Sequence, residues 1–234
     1  FNYDIIEDIP YGRTLALTIG NQEKFNTNRL YLGTKMAHGK KYNFGYLSSS
    51  AEFGSFFRNR KSEQSAFRFE LNYFTDLIPI GKWSIRQFIK PTYIWGNNRL
   101  NSEKDLLTLS ENMGIQGFNS PITGNQKWVL NLQTQTYSPG SWHGFRFSPY
   151  FNATFGSLIN KNTAFLNTKI YSKFSIGLLL NNDYLVFNSF QISFSYYPSI
   201  PFEGTNILKT NSFENTDLTL NDFQLGKPAY IRYE

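Results

Sequence analysis

The chain has no cysteine and only two histidines and two methionines among its 234 residues. Without cysteine there is no disulfide framework, thiolate zinc site, iron–sulfur cluster or thiol nucleophile. No apolar run approaches the ~18 residues that a membrane-spanning helix needs. A glycine-rich phosphate loop, an HExxH helix and paired catalytic carboxylates are also missing. His38 and His143 fall in different hairpins with no carboxylate pair beside them. They read as interfacial polar residues rather than metal ligands or bases. Serines are plentiful, but a serine near a histidine means little without geometry. No catalytic residue, metal site or cofactor is therefore expected. The basic residues, which give a net charge of +6, are spread along the chain rather than clustered. That distribution does not look like a nucleic-acid footprint.

Aromatic residues are abundant, at 18% of positions, and 40% of residues are hydrophobic. Such a chain is not disordered. Its mean hydropathy of −0.41 resembles that of a soluble protein. Membrane barrels give the same average, because their strands alternate apolar and polar residues.

Period two recurs throughout, and helical stripes do not. In 144–156, Phe145, Phe147, Pro149, Phe151, Ala153 and Phe155 share one face, opposite Arg146, Ser148, Tyr150, Asn152 and Thr154. Segments 65–74, 127–137, 169–180 and 185–197 alternate in the same way. Further strands are expected at 1–8, 13–21, 29–38, 42–57 and 82–95, with an irregular last one over 216–233. Its apolar parity slips between Leu220 and Phe223, as at a bulge.

This makes about eleven strands, joined by short connections at 10–12, 39–41, 75–82, 138–142 and 181–184. Longer polar connections are expected at 22–28, 58–64, 96–124, 157–168 and 198–215. Short turns at one end and long loops at the other is the pattern of outer-membrane barrels. Strands of about ten residues suffice to cross the hydrocarbon layer at a tilt. Arg68, Arg86, Lys90, Arg146 and Lys173 fall on the polar faces, suited to a wet, positive lumen. Tyr42, Trp83, Tyr93, Trp95, Trp128, Tyr137, Trp142, Tyr196 and Tyr197 crowd the strand ends, where interfacial girdles sit. The tip Arg58-Asn59-Arg60-Lys61 reads as solvated, with anionic lipopolysaccharide as the less favoured alternative. The fold class expected is all-β: a transmembrane antiparallel β-barrel spanning 1–234, in a bacterial outer membrane and in contact with its lipid.

Three stretches carry a resemblance. The first is Glu7-Asp8-Ile9-Pro10-Tyr11-Gly12, where Pro10 presets φ and Gly12 relieves a tight turn. The second is Gly114-Ile115-Gln116-Gly117-Phe118, within the longest loop. The third is Phe151-Asn152-Ala153-Thr154-Phe155-Gly156. In this order they resemble the acidic-Pro-x-Gly periplasmic turn, the V/I-R-G-F/Y loop motif and the F-x-x-D-x-G strand of the Omp85 superfamily, the bacterial surface antigen barrels. The resemblance implies that the chain is the C-terminal part of a sixteen-stranded barrel. Five strands would follow the motif loop, and N-terminal strands and periplasmic POTRA repeats would lie upstream. Phe1 is not a start residue, so either a signal peptide has been removed or the chain is a piece of a longer one.

The implied function is outer-membrane protein assembly or polypeptide translocation, with polypeptide clients and periplasmic or lipoprotein partners. The last strand (Leu218, Leu220, Phe223, Leu225, Ile231, Tyr233) would form one lip of a lateral seam. The alternatives are a passive pore or structural barrel, and an enzymatic barrel that uses a serine or histidine at its rim. Gln116 stands where the family has Arg, and Thr154 stands where it has the Asp that pairs with that Arg. Replacing both charges with neutral groups can be nearly free of cost. Either Gln116 and Thr154 dock the loop through neutral hydrogen bonds, or the loop is no longer held inside.

Overall fold

A computed structural model of the chain describes residues 9–24, 27–100, 105–110, 114–160, 167–182 and 190–214. Among these residues there is no α-helix, and the long strands form one antiparallel sheet. In chain order the strands are β1 (Gly12–Lys24), β2 (Thr27–Tyr42), β3 (Gly45–Arg58), β4 (Lys61–Phe74), β5 (Ile78–Ile80) and β6 (Trp83–Asn97). They continue as β7 (Leu107–Thr108), β8 (Thr123–Gly124), β9 (Gln126–Tyr137), β10 (Phe145–Ile159), β11 (Tyr171–Asn182), β12 (Phe190–Ile200) and β13 (Gly204–Glu214). The eleven-stranded sheet runs β1-β2-β3-β4-β6-β9-β10-β11-β12-β13, with β5 alongside β6. Each long strand thus pairs with the next long strand in sequence. Among the described residues β1 and β13 each pair on one side only. β7 and β8 form a separate small ladder.

Strand alternation divides the sheet into two unlike faces, as the period-two pattern requires. The outer face is apolar and open: Leu15, Leu17 and Ile19 on β1, Leu32 and Met36 on β2, Phe151 on β10, Ile176 on β11 and Phe194 on β12 are all exposed. On β6 the outward series runs from Trp83 to Trp95, with Tyr93 beside the far end. At ~3.3 Å per residue those tryptophans stand roughly 40 Å apart along the strand. The inner face is polar and mostly sheltered, with Lys35 its exposed member. It carries Lys35, Glu52, Arg68, Glu70, Arg86, Gln133, Gln135, Asn152, Thr154, Lys173, Ser175 and Ser195. Tyr137 and Tyr197, assigned to the girdle from their place at strand ends, are buried on this face instead.

Close approach fixes one glycine. A Cβ on Gly177 would lie 2.4 Å from the Tyr150 ring, which crosses the cross-strand neighbour it pairs with. The Tyr150 hydroxyl in turn accepts a short hydrogen bond from Gln191 Nε2.

The connections depart from the expected alternation of short and long. Region 58–64 is a two-residue hairpin, with Asn59 and Arg60 at φ 49° and 62°. Strands also run through most of 22–28. Region 198–215 holds a tight turn and the whole of β13 rather than a loop. The physical reason is that these stretches lack a greasy face. Strand pairing needs only backbone groups, whereas the period-two signal needs one apolar side. The long connections that remain lie between β6 and β9 and between β10 and β11. Among the described residues, four of the five strands expected after the motif loop correspond to β9–β12, and Gly204–Glu214 adds a strand where a loop was expected. The segments 1–8 and 216–233, including the proposed seam residues, lie outside the described residues.

Candidate functional site

The described parts of the connection between β6 and β9, residues 98–100, 105–110 and 114–125, lie over the inner face. Its own ladder pairs Leu107 and Thr108 with Gly124 and Thr123. Ser110 Oγ donates to Ser120 O (3.0 Å) and accepts from Ser120 N (3.2 Å), so two arms are tied together. At the tip, Ile115 N donates to Leu109 O (2.9 Å) and Phe118 N to Ile115 O (3.0 Å). Leu109, Ile115 and Phe118 are fully buried against Val129 of β9 and against Tyr197 and Ile200 at the end of β12. Tyr171 meets Phe118 edge-on, with ring centroids 5.2 Å apart.

This tip is the stretch Gly114-Ile115-Gln116-Gly117-Phe118. The structure brings it to the strand singled out with it. A Cβ on Gly156 would come within 3.1 Å of Leu109 and 3.4 Å of Ile115. Gly156 is thus the floor on which the loop rests, and a side chain there would press on Leu109 and Ile115. Gly117 lies at φ 75°, a left-handed turn position that favours glycine.

Gln116 and Thr154 do not bond to each other. Gln116 Oε1 accepts from Lys173 Nζ (3.4 Å), and its carbonyl accepts from Tyr197 Oη (2.6 Å). Gly117 O accepts from Lys209 Nζ (2.9 Å), which also pairs with Glu203 (2.7 Å). Thr154 Oγ1 donates to Asn152 Oδ1 (3.0 Å), and Asn152 Nδ2 donates to Asn131 Oδ1 (2.6 Å). Lys173 is the cross-strand partner of Thr154 in the ladder. The loop glutamine therefore reaches the position next to the one expected, because a lysine supplies a longer arm and a charge where threonine has neither. The loop tip is held against the polar face of the sheet, by cations and a tyrosine of that face gripping neutral loop acceptors.

A second anchor lies at the loop entry and was missed in the sequence. Asp105 accepts from Gln64 Nε2 (2.9 Å), from the backbone N of Leu100 (2.5 Å) and from the Arg99 guanidinium. Gln64 Oε1 accepts from Arg29 Nη1 (2.5 Å), and Arg29 lies 4.0 Å over the Phe56 ring. Gln64 sits at φ 48° beside the register shift between Gly54 and Phe56. Partners separated by 35 to 41 residues leave no local spacing for a sequence motif to report.

Of the remaining expected residues, Pro10 O accepts from Tyr46 Oη (2.6 Å), and Gly12 opens β1 at φ 139°. Glu7 and Asp8 lie outside the described residues. His38 Nδ1 faces Gly12 O at 3.1 Å, and His143 meets the Trp142 ring edge-on at 5.0 Å. Comparison with protein-family models, with curated proteins and with solved structures finds no match to this chain.

Proposed function

We propose that the chain is the strand-rich part of a bacterial outer-membrane β-barrel that assists the assembly or passage of polypeptides, with its lumen occupied by the 98–125 loop. The apolar outer face supports a lipid setting. A contiguous exposed apolar surface of this extent is costly in water and marks an interaction surface. Polar groups at the centre of that face bond within it: Thr134 Oγ1 donates to Gln87 Oε1 (2.6 Å) and Thr136 Oγ1 to Pro149 O (2.7 Å). Hydrocarbon demands such internal pairing.

The observation that carries the functional reading is the seating of Gly114–Phe118 on Gly156, with Lys173, Tyr197 and Lys209 clasping its carbonyls. A permanently open pore has no use for a loop so thoroughly caged. The resemblance to Omp85 barrels supplies the class of activity: a protein without nucleotide or metal that lowers the barrier to inserting or passing a strand. Outer-membrane lipid and unfolded polypeptides are its partners in this reading.

The test is to place the protein in vesicles of outer-membrane lipid and follow the folding of an unfolded β-barrel client by gel mobility. Folding at least tenfold faster than in protein-free vesicles is the expected result. An unchanged client rate alongside measurable conductance would make the protein a passive pore. Failure to enter the vesicles at all would sink the membrane reading.

A further inference from the structure

At the end of the sheet where β2 turns into β3, the outer face gathers cations that lie far apart in the sequence. We propose that Arg13, His38 and Lys40 form a site for the phosphate of an anionic phospholipid. This rests on the reading of the outer face as lipid-facing and names a ligand for it.

The ladder sets Arg13 of β1 directly across from His38 of β2, and Lys40 follows two residues later on the same outward parity. Two residues along a strand span about 7 Å, and cross-strand neighbours stand about 5 Å apart. Three basic side chains therefore surround one point on the surface. His38 Nδ1 lies 3.1 Å from Gly12 O, a carbonyl that can only accept, so the ring donates there and is pinned at the start of β1. Arg13 and Lys40 are exposed, and among the described residues neither pairs with a carboxylate. Asp76, in the turn after β4, is taken by Lys41 (3.1 Å), and Glu52 by Lys35 (2.6 Å). At the opposite end of these strands, by contrast, Arg58 is answered by Glu63 (2.7 Å).

An aromatic shelf stands beside Lys40. Its Nζ lies 5.6 Å from the Tyr42 ring, and Tyr42 stacks on Phe44 (5.1 Å, 7°). Tyr73 meets Phe44 at 5.9 Å and donates to its carbonyl (2.7 Å). Amphipathic rings of this kind are stable at headgroup depth. Beyond Arg13 the outer face turns apolar, with Leu15, Leu17 and Ile19 on β1 and Leu32 and Met36 on β2 exposed. From Arg13 to Ile19 is about 20 Å of strand, enough to run beside an acyl chain through half of the ~30 Å hydrocarbon core. Cations at one end of a greasy track match an anionic headgroup carrying two chains. A zwitterionic headgroup brings an ammonium that the cluster repels, and free phosphate makes no use of the track. Beside hydrocarbon the attraction between unlike charges is also stronger than in water.

The test starts from the whole chain reconstituted in phosphatidylcholine and transferred to a non-ionic detergent. It is titrated with phosphatidylglycerol or phosphatidylcholine of the same chains, and bound lipids are counted by native mass spectrometry. Phosphatidylglycerol is expected to bind at least tenfold more tightly. Arg13→Gln combined with Lys40→Gln should bring the two affinities within about twofold, with the far-ultraviolet spectrum of the sheet intact. Arg13→Lys with Lys40→Arg should keep the preference, as should Arg60→Gln with Lys61→Gln at the far end. Equal affinities in the parent, or a preference that survives loss of both cations, would overturn the site. Inorganic phosphate in large excess should not displace the lipid; displacement would make this a free-anion site instead. Tighter binding of lipid A than of phosphatidylglycerol would overturn the choice of a phospholipid. A chain that reconstitutes without any preference removes this site and leaves client folding to decide the function, whereas a chain that does not reconstitute removes both.

Discussion

The two halves of the inner face solve the problem of burying polar groups in opposite ways. On β9 to β12 the wall is built mainly of amides and hydroxyls. Gln133, Gln135, Asn152, Thr154, Ser175, Ser193 and Ser195 are all buried. They satisfy one another at close range, as where Ser175 and Ser195 share a 2.8 Å hydrogen bond and Gln133 donates to Gln135 (3.1 Å). On β2 to β4 the wall is built of ion pairs. Lys35 meets Glu52 at 2.6 Å and Arg68 meets Glu70 at 2.6 Å, and these side chains keep contact with solvent. Neutral groups can be dried at small cost once each has a partner, whereas charges retain a desolvation penalty even when paired. The β9–β12 half packs under the loop tip with Lys127 and Lys173 as its buried cations, whereas on β2 and β3 the Lys35–Glu52 pair stays partly open to water.

Three substitutions would break or sharpen this contrast. The largest effect is expected from Asn152→Asp, an isosteric change that sets a carboxylate against the oxygens of Asn131 and Gln133. An ionised group with acceptors facing it in a buried wall should cost about 3 kcal/mol, read as a lower midpoint of denaturant unfolding in detergent. Gly177→Val comes next. Its Cβ would overlap the Tyr150 ring, which is hemmed in by Gln191, so overpacking of about 2 kcal/mol is expected. Adding Tyr150→Ala should recover part of that loss, and a strictly additive double variant would mean the ring does not cross the glycine. The smallest effect belongs to Lys35→Gln on the charged half. Lys35 is 49% exposed, so the pair with Glu52 is worth at most ~1 kcal/mol, and the difference from the parent should vanish in high salt. If Lys35→Gln proved as damaging as Asn152→Asp, the two halves would not differ in solvent access.

Much of the sheet was legible because period two is a property of single strands. The faces of 144–156 read off the sequence are those observed: Phe145 and Phe151 are exposed, while Ser148, Tyr150, Asn152 and Thr154 are buried. Strand ends were less legible. At Asn59 and Arg60 the chain turns in two residues without a glycine, so the polar stretch around them looks like a loop. The structure sets Gly114–Phe118 beside Gly156, and the partner of Gln116 was not legible in the sequence. Thr154 and Lys173 face each other across one rung, and only side-chain reach chooses between them.

The sequence by itself determined that this is a sheet with one apolar and one polar face, because alternation is written residue by residue and backbone pairing needs nothing more. The tertiary structure decided what fills the polar side. The clasp of Tyr197 and Lys209 on the loop tip joins residues 81 and 92 positions apart, and the Gln64–Asp105 node joins residues 41 apart. Hydrogen bonds depend on distance and direction in space, and at those separations only the folded chain supplies them.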